Sequence, residues 1–132
     1  MSSLIRKYGH HEWLVKSHFS FLIGSSTPKE LWARAMNLQY RSLCIADYDG
    51  LYGAARMFRS LPQGMSLQVG AEVHLQADHE VPLLVQQTLC LVALSKRGYA
   101  NLCRLLTISH KHALKKGQGV LPLDVLCSHS EA

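Results

Sequence analysis

The groups in this chain whose types and spacing could do chemistry are a handful of carboxylates and imidazoles. Asp47 and Asp49 close a short apolar run, Ser42-Leu43-Cys44-Ile45-Ala46. Glu72 and His74 lie two residues apart in a strictly alternating segment, and His18 sits in an apolar run upstream. Oxygen and imidazole donors converging from strand ends would suit a divalent cation such as zinc or manganese working on a phosphoester. On that reading Glu72 and Asp47 are the candidate catalytic groups, and His18, Asp47, Glu72 and His74 the candidate metal ligands. The plainer reading gives Asp47 and Asp49 turn-making roles and leaves Glu72 hydrogen-bonded inside the sheet. No His-x-His at a strand end, no HExxH and no paired Cys motif raises the first reading above the second.

A second set is cationic. Arg104, Lys111, Lys115 and Lys116, with His110 and His112 among them, give one helix a basic end. These are the candidate nucleic-acid contacts, set against the reading that they form a solvated face. Lys+Arg 14 against Asp+Glu 9 leaves a formal charge of +5, which fits an acidic partner. A P-loop, a GxGxxG turn and a GxSxG elbow are all absent.

The elements that must position these groups follow from periodicity. Residues 1–12 are polar and basic and read as a mobile arm. Trp13 to Leu22 reads as a first strand. Thr27-Pro28-Lys29-Glu30 opens a helix with a capping residue, a proline suited to the first turn and a glutamate that can close a capping box. Leu31, Ala35 and Leu38 fall on its buried face. The run 42–46 is a strand covered on both faces. Leu51, Ala54, Ala55, Phe58 and Leu61 then form one helical stripe, ended by Pro62 and Gly64. In the third strand Leu67, Val69, Ala71, Val73 and Leu75 face one way, and Gln68, Gly70, Glu72, His74 and Gln76 the other. A turn around Asp78 to Glu80 leads into a fourth strand, Leu89 to Leu94. The longest helix runs from about Gly98 to Lys116, with Tyr99, Leu102, Cys103 and Leu106 inward, and a short tail follows around Leu121 to Leu126. Strands alternating with helices indicate an α/β fold with a mainly parallel sheet.

A chain of 132 residues, 48% hydrophobic, has room for one packed domain. Four scattered cysteines without a CxxC pair indicate reduced thiols and a cytoplasmic setting. The greasiest stretch, Leu83 to Leu94, is broken by Gln86, Gln87 and Thr88 and is shorter than the roughly 20 residues a bilayer needs, so no membrane association is expected.

Two runs carry a family resemblance. Ser17-His18-Phe19-Ser20-Phe21-Leu22-Ile23-Gly24 through Pro28-Lys29-Glu30-Leu31, then Leu43-Cys44-Ile45-Ala46-Asp47-Tyr48-Asp49-Gly50-Leu51-Tyr52-Gly53-Ala54, resemble the start of a PHP (polymerase and histidinol phosphatase) domain. Gly70-Ala71-Glu72-Val73 and Leu91 to Leu94 through Asn101-Leu102-Cys103-Arg104-Leu105-Leu106-Thr107 match in order and spacing. The resemblance is to the domain opening the alpha subunit of bacterial C-family polymerases, and it favours the error-prone branch used in damage-induced synthesis. It implies a distorted β/α barrel, of which this chain supplies about half, since an ordinary β/α barrel takes about 250 residues. The expected division is the arm at 1–12, a partial PHP-like domain at 13–126 and a tail at 127–132.

The resemblance also exposes departures. The two histidines that active PHP domains carry on strand one fall on Leu14 and Lys16. The usual acid before the glycine is Ile23, the histidine after strand two is Tyr48, and a later ligand position is Cys90. What the resemblance implies is therefore the fold without the activity: a degenerate, non-catalytic segment with no cofactor, acting structurally beside a polymerase core or another replication or repair protein. Two alternatives stand beside it. One is a metal-dependent phosphoesterase or proofreading nuclease; the other is a module binding single-stranded nucleic acid weakly. A half barrel with an apolar edge strand is further expected to self-associate as a homo-oligomer.

Overall fold

A computed structural model of the chain describes residues 9–75, 87–111, 113 and 119–129. Four strands build one sheet in sequence order: β1 (His10–Val15), β2 (Tyr40–Tyr48), β3 (Ser66–His74) and β4 (Thr88–Ala93). The pairs β1/β2 and β2/β3 are parallel, and β3/β4 is antiparallel. Among the described residues four helices accompany them: α1 (Pro28–Asn37), α2 (Ala54–Arg59), α3 (Lys96–Lys111) and α4 (Leu123–Ser128). The result is an α/β fold whose mostly parallel sheet curls into a half barrel.

Side chains alternate between the two faces of a sheet, and the register aligns that alternation across strands. Leu43, Ile45 and Asp47 lie opposite Leu67, Val69 and Ala71, so all six share the helix-covered face. There Trp32, Ala35, Ala54 and Met57 bury Val15, Leu43 and Ile45. Leu102, Leu105, Leu106 and Leu121 bury Ala71 and Val73. The other face carries Cys44 and Tyr48 from β2, Glu72 and His74 from β3, and Cys90 opposite Glu72 on β4.

The start of α1 forms as its sequence indicates. Thr27 accepts from the Glu30 N–H, and Glu30 accepts from the Thr27 N–H at 2.7 Å, closing the capping box. Other expectations are corrected. The first strand is His10–Val15, so His10 to Glu12 are paired with Tyr40 to Leu43 rather than belonging to an arm. Phe19 to Ile23 are not a strand, because Ser20 N–H bonds back to Ser17 O and Ile23 and Gly24 N–H both bond to Ser20 O, folding the run into turns. The α2 stripe is rotated: Met57 is buried and Phe58 is 70% exposed, since the indole of Trp32 donates to Met57 O and pins that side inward. In α1, Trp32 replaces Leu38 as the buried residue. α3 starts at Lys96, and its buried stripe is Leu102, Leu105, Leu106 and Ser109, leaving Tyr99 exposed. The tail is built into the domain, with Leu121 bridging to Leu75 and α4 crossing the expected boundary after residue 126. The turn at Asp78 to Glu80 lies outside the described residues, as do His112, Lys115 and Lys116.

Candidate functional site at the strand ends

The open face of the sheet converges on one ion pair. Lys16 follows Val15 at the end of β1, and parity turns it away from the core toward β3. Its ammonium lies 2.6 Å from Glu72 Oε2 and also donates to the carbonyl of Ala46. The hydrogen bond from Lys16 holds the Glu72 carboxyl below its ordinary range, against the opposing effect of burial. Cys44 and Cys90 flank this pair. Burial pushes the Cys44 thiol up to about 11, and raises the Cys90 thiol as well, with Lys16 pulling both the other way. Both therefore remain thiols at neutral pH. Beyond them the Tyr48 hydroxyl bonds the imidazole of His74, 2.9 Å from Nδ1, with the two rings edge to face.

Asp47 does not join this group. It sits on the opposite face, 1% exposed, at the centre of a hydrogen-bond hub. Oδ1 accepts from the Ser17 N–H and from the Ser20 hydroxyl, each at 2.8 Å. Oδ2 accepts from the Gly53 N–H at 2.8 Å, and the Ser17 hydroxyl spans both oxygens. The carboxylate thereby ties the loop after β1 to the turn before α2. Gly53 must be glycine here: a Cβ would collide with Asp47 Oδ2 and come 2.8 Å from Ser17 Oγ. Asp49, buried and at φ 53, accepts from the Gly119 N–H, while His110 Nε2 lies 2.8 Å from its backbone carbonyl.

Of the four candidate ligands, the structure brings together none as a set. Glu72 and His74 share a strand face but are engaged by Lys16 and Tyr48. Asp47 points to the other side of the sheet. His18 is on the loop after β1, its ring against Phe19 with centroids 4.2 Å apart. Leu14 and Ile23 are more than half exposed and offer no donor. Among the described residues, no group of three or more His, Cys, Asp or Glu is placed to hold a metal ion. A divalent cation would meet the Lys16 ammonium beside the strongest remaining ligand, so the donor set does not fit one. Arg104 and Lys111 are exposed on α3, seven residues apart and so on one stripe. Lys16, Ser17, Ser20, Tyr48 and Gly53 carry the local structure, and of these only Lys16 and Tyr48 stand out in the sequence, as substitutions at expected ligand positions. Strand parity is the signal that separates Asp47 from Glu72.

Residues 13–132 match the family described as PHP domain. Among curated proteins, the chain is 35% identical over 115 residues to an error-prone DNA polymerase of Bdellovibrio bacteriovorus, covering 83% of this chain and 11% of that protein. It is 43% identical over 102 residues to an error-prone DNA polymerase of Anaeromyxobacter sp. (strain K), covering 75% of this chain and 9% of that one. The chain thus spans about a tenth of the length of the curated relatives it matches. Among solved structures it is similar to a proposed metal-dependent phosphoesterase from Bifidobacterium adolescentis, at TM-score 0.51 and 18% identity, covering 79% of this chain and 35% of that one. That likeness is one of fold. No helix among the described residues is long and apolar enough to cross a membrane. The match over residues 13–132, carried on a curled and mostly parallel sheet, shows that this chain belongs to the PHP domain family.

Proposed function

We propose that this chain is a non-catalytic PHP module with a structural or interaction role in DNA replication or damage-induced synthesis, with a polymerase core or another replication or repair protein as its partner. The observation that carries this reading is the Lys16–Glu72 ion pair. An ammonium in hydrogen-bond contact with Glu72 supplies the positive charge that a metal would otherwise bring, and unlike a metal it cannot activate water or accept a leaving oxygen. The partner class rests on the relatives, which are error-prone DNA polymerases. The test is elemental analysis of the purified 132-residue chain together with a phosphoesterase assay. The expected result is far less than one zinc or manganese per chain and no turnover. Near one ion per chain, with an activity lost in Glu72→Ala, would refute the proposal.

A second reading, weak contact with single-stranded nucleic acid, is favoured by the exposed Arg104 and Lys111 stripe on α3. It is compatible with the first, because that stripe shares no residue with the ion pair.

A further inference from the structure

A pocket of about 500 Å³ lies away from the Lys16–Glu72 face, between the loop after β1, the first turn of α1 and the outer side of α2. Its cationic lining is Lys29, Arg56 and Arg59, with the His18 ring beside them, and no acidic residue among the described ones lines it. Among the described residues no carboxylate forms an ion pair with any of these three cations. Such a volume falls within the roughly 300–1,000 Å³ of pockets that take small molecules, and is larger than a lone ion needs.

The arrangement is held by the fold. Arg56 and Arg59, three residues apart, project from one side of α2. The Trp32 indole bond to Met57 O, 3.0 Å, ties α2 to α1 and so fixes both arginines relative to Lys29. The Arg56 guanidinium rests 5.1 Å from the centroid of Phe19, whose ring packs on His18. The nearest acid in sequence, Glu30, is committed to Thr27 through bonds of 2.7 and 2.8 Å. His18 Nδ1 is buried without a hydrogen-bond partner among the described residues. Three cations lining one pocket repel one another; the one carboxylate close by, Glu30, has its oxygens taken up by Thr27 at the pocket edge, so an anion within the pocket relieves the repulsion that remains.

We infer that this pocket binds the phosphoryl groups of a nucleotide-sized ligand, either a free nucleotide or a unit of a single strand. Its residues are separate from Lys16, Asp47 and Glu72, so the inference does not depend on the loss of catalysis.

Fluorescence anisotropy of a labelled single-stranded oligonucleotide, titrated with the 132-residue chain, tests it. Lys29 and Arg59 are exposed, so Lys29→Glu/Arg59→Glu keeps the fold, which a melting curve verifies. This variant is expected to bind about tenfold or more weaker, and to lose about 1.4 from the slope of log affinity against log salt, at about 0.7 per phosphate contact. Arg41→Glu/Lys96→Glu, exposed cations outside both this pocket and the α3 stripe, is expected to stay within about twofold of the unaltered chain, a change of only ~0.4 kcal/mol. Displacement of the oligonucleotide by a nucleoside triphosphate identifies a free nucleotide as ligand, and failure of the triphosphate to displace it identifies a strand. Displacement by inorganic phosphate as readily as by the triphosphate overturns the nucleotide-sized ligand. Unchanged binding by the Lys29/Arg59 variant, or no binding of either probe by the unaltered chain at low salt, overturns the site itself.

Discussion

Replacing Lys16 by methionine tests whether the ion pair holds the open face together. The substitution keeps an unbranched side chain one heavy atom shorter and removes the ammonium from Glu72 and from the Ala46 carbonyl. The two side chains are 15% and 26% exposed, so the pair is neither buried nor at the surface. Exposed pairs contribute about 0–1 kcal/mol, whereas stripping one partner from a fully buried pair costs about 3–5 kcal/mol. An intermediate cost of about 2 kcal/mol is therefore expected for Lys16→Met, and a similar one for Glu72→Gln. The double variant leaves no orphaned charge and should recover part of the loss, giving a coupling energy of about 1–1.5 kcal/mol. Urea denaturation at neutral pH reads these values, provided that the slopes stay equal.

The same variants carry a pH signature. Lys16 lowers the Glu72 carboxyl in the folded state below its ordinary 4.5. A group whose folded pKa is depressed contributes stability that is present above the unfolded value and disappears as pH falls through the folded one. The gap between the unaltered chain and Lys16→Met should therefore be full at pH 7 and narrow steadily below pH 4.5. Glu30, also held low by its Thr27 bonds, is common to both proteins and cancels in the comparison. A coupling energy under about 0.3 kcal/mol, or a gap that is the same at both ends of this range, would refute the reasoning.

The other expectations concern the hub, the edge and the basic helix. Asp47→Ala strands the Ser17 and Gly53 N–H groups and the Ser20 hydroxyl in a buried site, and should cost about 3 kcal/mol or more in urea denaturation; a loss under 1 kcal/mol would show that the hub does not anchor the loop. The chain is expected to self-associate, because Leu89 on β4 and Leu94 just after it are exposed at 37% and 77% and β4 has no outer neighbour among the described residues. Light scattering at micromolar concentration checks this, and a stable monomer whose Leu89 to Ala93 amides resist exchange would count against it. Nucleic-acid contact through Arg104 and Lys111 should be weak and non-specific, fading with salt at a slope of about −0.7 per phosphate; tight binding that survives high salt, or a clear sequence preference, would contradict it.

Local order was legible wherever neighbouring residues decide it. The Thr27–Glu30 capping box, the alternation through β3 and the strand–helix order all follow from spacing, since their hydrogen bonds and faces are set within a few residues. The family pattern in the run from Ser17 to Ala54 pointed to the α/β half barrel, and Leu14, Lys16, Ile23 and Tyr48 stood out as departures from the pattern in and just before that run. Contacts thirty residues apart were not legible. Phe19 to Ile23 is as apolar as a strand, yet Ser17 and Ser20 turn it because Asp47, far along the chain, accepts their hydroxyls. Met57 displaces Phe58 from the core because Trp32 reaches across to its carbonyl. Asp47 and Glu72 read as one candidate pair in sequence. The parallel register puts them on opposite faces of the sheet, and only the assembled strands bring the Lys16 ammonium to Glu72, because that contact depends on which faces meet in space rather than on any interval along the chain.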